Sequence, residues 1–227
     1  MKWIADAEGE AFVLRNAWDV MIPVSYTKIG DELTVKYYPE IQGELTAFFR
    51  AYGENPFTDE ALSALFFLLQ EYFGRKGYTD DRFRDRWGYI YRGSIATPVG
   101  GAVLLSAQDE KYNKTTYDIA SLIGDGRLVY GVKVDGCVVS VAVTHTSPDD
   151  LTEKTVEVGV ETAPHYRGHG YATAALSALS QELMCRGRVT EYRCQRYNEA
   201  SRRVAVNAGL SEVGKYYNYV GRKNHGV

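Results

Sequence analysis

The stretch VEVGVETAPHYRGHGYA, residues 156–172, constrains this chain more than any other. Val156, Val158, Val160 and Thr162 alternate with Glu157, Gly159 and Glu161. That period of two, rich in β-branched side chains, predicts a half-buried strand ending near Thr162. Pro164 lacks a backbone donor and takes the chain out of the ladder. Arg167, Gly168, His169 and Gly170 then form a turn, and Leu176, Leu179 and Leu183 beyond it have the spacing of an amphipathic helix. The first turn of a helix leaves amides unpaired and carries the positive end of the macrodipole. Glycines let a phosphate approach those amides, and Arg167 adds a forked charge. The turn is expected to hold a diphosphate.

Other readings of the glycines differ in what must surround them. A dinucleotide fingerprint needs a third glycine, where Thr173 stands, and an acidic residue closing the next strand, which instead ends in GlnArgTyrAsn. A Walker loop needs Gly-Lys-Ser/Thr, which is absent. A purely structural turn is the remaining alternative.

Arg167-Gly168-His169-Gly170-Tyr171-Ala172 resembles the R-x-x-G-x-G/A signature of the GNAT superfamily of acyl-CoA-dependent N-acyltransferases. Asn198, Ser201, Val204, Gly209 and Leu210 resemble the second pattern of that family, and the resemblance runs from about Leu128 to Gly221. It implies an α+β fold with a mixed, mostly antiparallel central sheet flanked by helices, in which two strands splay to admit the thioester arm. An additional N-terminal α+β region precedes it. The implied donor is acetyl-CoA. Its diphosphate would lie on Arg167, Gly168, His169, Gly170, Tyr171 and Ala172, its pantetheine and acyl carbonyl on the amides of Val160 to Thr162, and its arm near Asn198 and Ser201.

Acyl transfer to an amine needs a proton acceptor, because an alkylammonium with a pKa of about 10.4 is almost wholly protonated at neutral pH. The resemblance implies Glu157 as that base, with Glu161 on the same face as runner-up and His145 as an outside alternative. The tyrosine that many members carry as general acid is replaced by Ala205, so Tyr217, among Tyr216, Tyr217 and Tyr219, is the expected substitute. A thiolate with a pKa of about 8.5 also leaves tolerably without an acid. The expected activity is N-acetyl transfer from acetyl-CoA to a primary amine on a small molecule or peptide. The alternative is a non-catalytic module that binds or senses acyl-CoA.

Composition narrows the partners. A formal charge of −3 and a pI near 5.9 argue against nucleic acid and tolerate a cationic amine. No apolar run spans a bilayer, and MKWIADAEGEAF lacks a secretory pattern, so no membrane partner and a cytoplasmic location are expected. Cys137, Cys185 and Cys194 have no disulfide or zinc spacing and are expected to be buried small hydrophobes, with no metal bound. A homodimer is compatible with this reading.

Along the rest of the chain, residues 5–20 predict a helix ended by Pro23, and a hairpin should turn at Gly30 and Asp31. Pro39 should open a helix stopped by Gly53, and Thr58 should cap another that carries Leu62, Leu65, Phe66, Leu69 and Phe73 and ends near Gly77. Tyr78 to Arg92 has mixed charge and suits a solvated or partner-facing segment. Residues 100–106 and 115–123 are expected to be strands separated by a polar loop. That loop divides residues 1–110, a region shaping the acceptor site or packing on the core, from the acyltransferase domain at 111–227. Asp135-Gly136 predicts a hairpin of 128–134 with 137–144; a strand near 189–196, a helix over 198–208 and a strand near 212–220 follow.

Overall fold

The computed structural model describes residues 1–5, 20–79, 87–145 and 154–223. The chain forms two compact units: Met1–Tyr89 with Gln195–Tyr197 and Gly214–Val227, and Ile90–Cys194 with Asn198–Val213. The polar loop of residues 108–114 lies within the second. The helix expected over 5–20 falls almost wholly outside the described residues, as does the middle of the 78–92 segment.

In the first unit, β1 (Lys2–Ala5) runs parallel to β3 (Glu32–Tyr37), and β3 is antiparallel to β2 (Val20–Ile29) across the expected hairpin. The far side of β2 takes the last strand, β11 (Ser211–Lys223), which also pairs with the short β4 (Tyr78–Thr79). Leu33, Val35 and Tyr37 alternate with more exposed residues, and their partners Val24 and Tyr26 are buried on the same face. Against that face pack α1 (Gln42–Tyr52), entered through Pro39 and ended at Gly53, and α2 (Asp59–Lys76). Thr58 caps α2 by accepting the Ala61 amide at 3.1 Å, and Gly77 ends it with φ of 75°. Leu45, Phe48, Leu62, Leu65, Leu69 and Phe73 fill the core with Tyr26, Tyr217 and Tyr219. The Tyr26 hydroxyl donates to the Pro56 carbonyl at 2.7 Å, which satisfies the polar tip of a buried ring.

The second unit holds β6 (Val103–Leu104), β7 (Val129–Val134), β8 (Cys137–Thr144), β9 (Thr155–Thr162) and β10 (Val189–Gln195) in that spatial order, joined by the end of β5 (Trp87–Gly93). All pairs from β6 to β9 are antiparallel, and β9 with β10 is parallel. Asp135 and Gly136, both with positive φ, make the β7–β8 turn. Strand β8 is covered on both faces, which explains its unbroken apolar run. On one face α3 (Ile119–Gly124) packs Ile119 against Val138, Val141 and Val143; on the other α4 (Tyr171–Cys185) packs Ala174 against Val139. The remaining helix, α5 (Glu199–Asn207), precedes β11. The protein is thus a mixed α+β fold with mostly antiparallel pairing and flanking helices.

Four expectations need correction. The described end of the 78–92 segment is not solvated: residues 87–92 lie in β5, with Trp87, Ile90 and Tyr91 buried. Residues 115–123 are not a strand: Asp118 accepts the Ser121 amide at 2.9 Å and starts helix α3. Only Val103 and Leu104 of residues 100–106 are strand. Of the cysteines Cys194 is buried, Cys137 partly so, and Cys185 exposed, because it is the last residue of α4.

Candidate acyl-CoA site

Strands β9 and β10 pair only over Thr155–Val158 and Val189–Tyr192. Beyond those residues both continue without a ladder to each other, so a gap opens at Gly159. On the opposite side, Glu157 accepts from the His145 amide and Ala163 donates to Val139, so odd-numbered residues of β9 direct their backbone groups toward β8. The even ones, Val160 and Thr162, therefore direct theirs into the gap.

The turn beyond β9 completes a pocket. Residues 164–166 form a single 3-10 turn, after which Gly168 and Gly170 adopt φ of 84° and 80°. A Cβ at either position would meet no atom within 4 Å, so these glycines serve backbone conformation and leave open space beside them. Gly170 is the N-cap of α4 and offers no side chain to the helix, whose amides at Tyr171, Ala172 and Thr173 lack intrahelical acceptors. Arg167 Nε donates to the Thr162 carbonyl at 3.1 Å, leaving its terminal nitrogens for a ligand.

A cavity of about 480 Å³ joins these parts. It is lined by Val160, Thr162, Arg167, Gly168, Gly170, Tyr171 and Ala172, and on the far side by Asn198 and Ser201. Asn198 caps α5 by accepting the Ser201 amide at 3.0 Å, so its amide nitrogen is what remains for a ligand. The lining also contains Val204 of the second pattern, and Tyr166, Thr173, Tyr192, Ala200, Arg203 and Asn207, which sequence reasoning missed. Residues 200, 203, 204 and 207 have the spacing of one helix face, the signal that could have found them. Tyr192 is the register partner of Val158 at the mouth of the gap; burial raises its pKa, opposed by a hydrogen bond with Ser201.

Three expected site residues lie off the lining. His169 turns back on its own loop, with Nδ1 2.9 Å from the Arg167 carbonyl and the ring stacked on Tyr171. A carbonyl only accepts, so that contact puts the proton on Nδ1. Tyr217 is fully buried in the aromatic core of the first unit, beside Tyr26. Glu157 lies on the other face of the sheet, in an ionic row: Arg92 and Arg193 each hold the buried Glu191 at 2.6 Å, Arg193 lies 3.5 Å from Glu157, and Glu157 lies 3.4 Å from His145 Nδ1. Burial pushes the Glu157 pKa up, but the His145 hydrogen bond and the Arg193 and His145 charges outweigh it and leave the group lower than usual. Glu161, which also reaches the cavity lining, accepts from the Thr116 amide at 3.1 Å and its hydroxyl at 2.7 Å.

The GNAT acetyltransferase family matches over residues 128–219, which contain the gap, the glycine turn and α5. Over residues 128–219 the chain is similar to the GNAT acetyltransferase family. Among solved structures, a GNAT-family acetyltransferase from Colwellia psychrerythraea is 12% identical over 86% of this chain and 81% of its own, with a TM-score of 0.50. A GNAT-family structure from Novosphingobium aromaticivorans is 22% identical over 65% and 68%, with a TM-score of 0.48, and a GCN5-related N-acetyltransferase from Sphaerobacter thermophilus is 14% identical over 94% and 83%, at 0.45. At such identities the likeness extends to the GNAT fold alone. No curated protein matches the chain. Among the described residues no helix is long and apolar enough to cross a membrane, and no three or more His, Cys, Asp or Glu side chains are grouped to hold a metal ion.

Proposed function

We propose that this GNAT domain transfers an acetyl group from acetyl-CoA to a primary amine of a small molecule or peptide, in the cytoplasm. The observation that carries the reading is the end of the β9–β10 ladder at Val158 and Tyr192, beside a helix N-terminus with open space at Gly168 and Gly170. Positive φ at both glycines and unpaired amides at Tyr171 to Thr173 fit a diphosphate. The Val160 and Thr162 backbone, with Asn198 and Ser201, fits the polar arm that follows. Acyl-CoA, when bound, supplies an activated thioester carbonyl, and amides facing the gap suit its developing oxyanion. Glu157 is the carboxylate that drives removal of the acceptor's proton; Glu161 is already engaged by Thr116. The fully buried Tyr217 is not needed as an acid, because a thiolate leaves without one.

Calorimetry with acetyl-CoA, free CoA and NADH tests this reading. Binding of both CoA compounds and not NADH, followed by acetyl transfer in an amine panel, is the expected result; no CoA binding to folded protein rejects it. CoA binding with no transfer to any amine would favour a sensing module.

A further inference from the structure

Gly159 lies where the β9–β10 ladder has just ended. A Cβ built on it would come 2.8 Å from His145 Nε2 and 2.5 Å from the Tyr117 hydroxyl, so both polar tips converge over the backbone of this one residue. His145 follows β8 and is half exposed, and its amide donates to the Glu157 carbonyl at 2.9 Å. Its ring therefore has two distinct ends. Nδ1 faces the Glu157 carboxylate at 3.4 Å, and Nε2 lies over Gly159 on the same side as the Tyr117 hydroxyl.

A carboxylate on one imidazole nitrogen selects the tautomer that carries the proton there, leaving a lone pair on the other nitrogen. We infer that His145 Nε2 is the group that takes the acceptor's proton, and that Glu157 is a positioning residue acting through it. This rests on the acyl-transfer reading above. In the step, Nε2 takes one proton from the acceptor ammonium, the neutral nitrogen forms a bond to the acyl carbon, the carbon–sulfur bond breaks, the second nitrogen proton passes to solvent, and the thiolate is protonated by solvent. The titratable and charged groups placed around His145 by β9, β10 and the segment before α3 are Glu157, Arg193 and Tyr117. Arg193 is shared with Glu191, which holds the carboxylate side of the row in place. Glycine at 159 leaves room for Nε2 beside the strand.

Bromoacetyl-CoA tests this without knowledge of the acceptor. A nucleophile at the acyl position displaces bromide from the methylene carbon, and the imidazole proton leaves with it. The expected result is alkylation of His145, located by peptide mass spectrometry and blocked by excess free CoA, which separates it from background labelling of the exposed Cys185. Glu157→Gln should slow that labelling roughly tenfold, equivalent to about 1.4 kcal/mol of barrier. His145→Gln should lose it while binding CoA as before in calorimetry. CoA-protected labelling of Glu157, or none on His145 in a protein that binds CoA, would overturn the inference and leave the acyl-CoA reading intact. Failure to bind CoA at all would remove that reading first.

Discussion

Arg167 Nε donates to the carbonyl oxygen of Thr162 at 3.1 Å, so the cation of the glycine turn is tied to the last residue of β9. Tether and charge are separable. Arg167→Ala removes both, and at about 1.5–3 kcal/mol for a charge-assisted contact the CoA dissociation constant should rise about 10- to 150-fold. Arg167→Lys keeps the charge without the fork and should recover only part of the loss. Calorimetry of the three proteins decides it, and equal affinities would mean Arg167 does not reach the diphosphate.

Gly168 carries φ of 84°, and a Cβ there would meet nothing within 4 Å. Gly168→Ala should therefore lose only the left-handed backbone penalty, about 1–2 kcal/mol of stability, with no clash added. With a diphosphate against this turn, the extra carbon should also reduce the rise in Tm that CoA produces. Thermal unfolding with and without CoA gives both numbers; a lower Tm with undiminished ligand protection would place the phosphates elsewhere.

Lowering of the Glu157 pKa has a defined sign in stability. The contribution is complete above the ordinary value of 4.5, and it is lost as pH falls through the lower folded value. The side chain is 37% exposed, so solvent screening holds the effect to less than about 1 kcal/mol. Urea unfolding from pH 7 down to pH 3 should show a shallower acid-side decline in Glu157→Gln than in the native protein. His145→Gln should shift the same way, since it removes a hydrogen bond that lowers the pKa. Identical slopes in all three would mean the pair is not formed in solution.

Thr58 Oγ1 receives the Ala61 amide at the start of α2. Thr58→Ala should cost about 1 kcal/mol in urea unfolding, while Thr58→Ser and Thr58→Asp stay close to native. A loss as large for serine as for alanine would point to the methyl group and not to the cap.

Much of this was legible where the sequence carries a local rule. The alternation at Val156, Val158 and Val160 marks β9, Thr58 and Gly77 bracket α2, and Asp135-Gly136 marks the β7–β8 turn. Other elements carried conflicting rules. Ile119, Leu122 and Ile123 are apolar residues at home in a strand, yet they stand at helical spacing behind a capping Asp118, and the cap prevailed. Which tyrosines of β11 face inward depends on the helices packed against the sheet, so the burial of Tyr217 had no local signature. The approach of His145 and Tyr117 to Gly159 joins three segments distant in sequence, and periodicity does not report such meetings.

The first unit takes Met1–Tyr89 from one end of the chain and Gly214 onward from the other, and Tyr217 and Tyr219 lie at the centre of its core. Its core is therefore incomplete until β11 has been made. During synthesis at about 5–20 residues per second, Met1–Tyr89 must wait for its closing strand through the translation of the second unit. The strand order that gives this unit a continuous core thus leaves its earliest-made helices as the part of the nascent chain most in need of a chaperone.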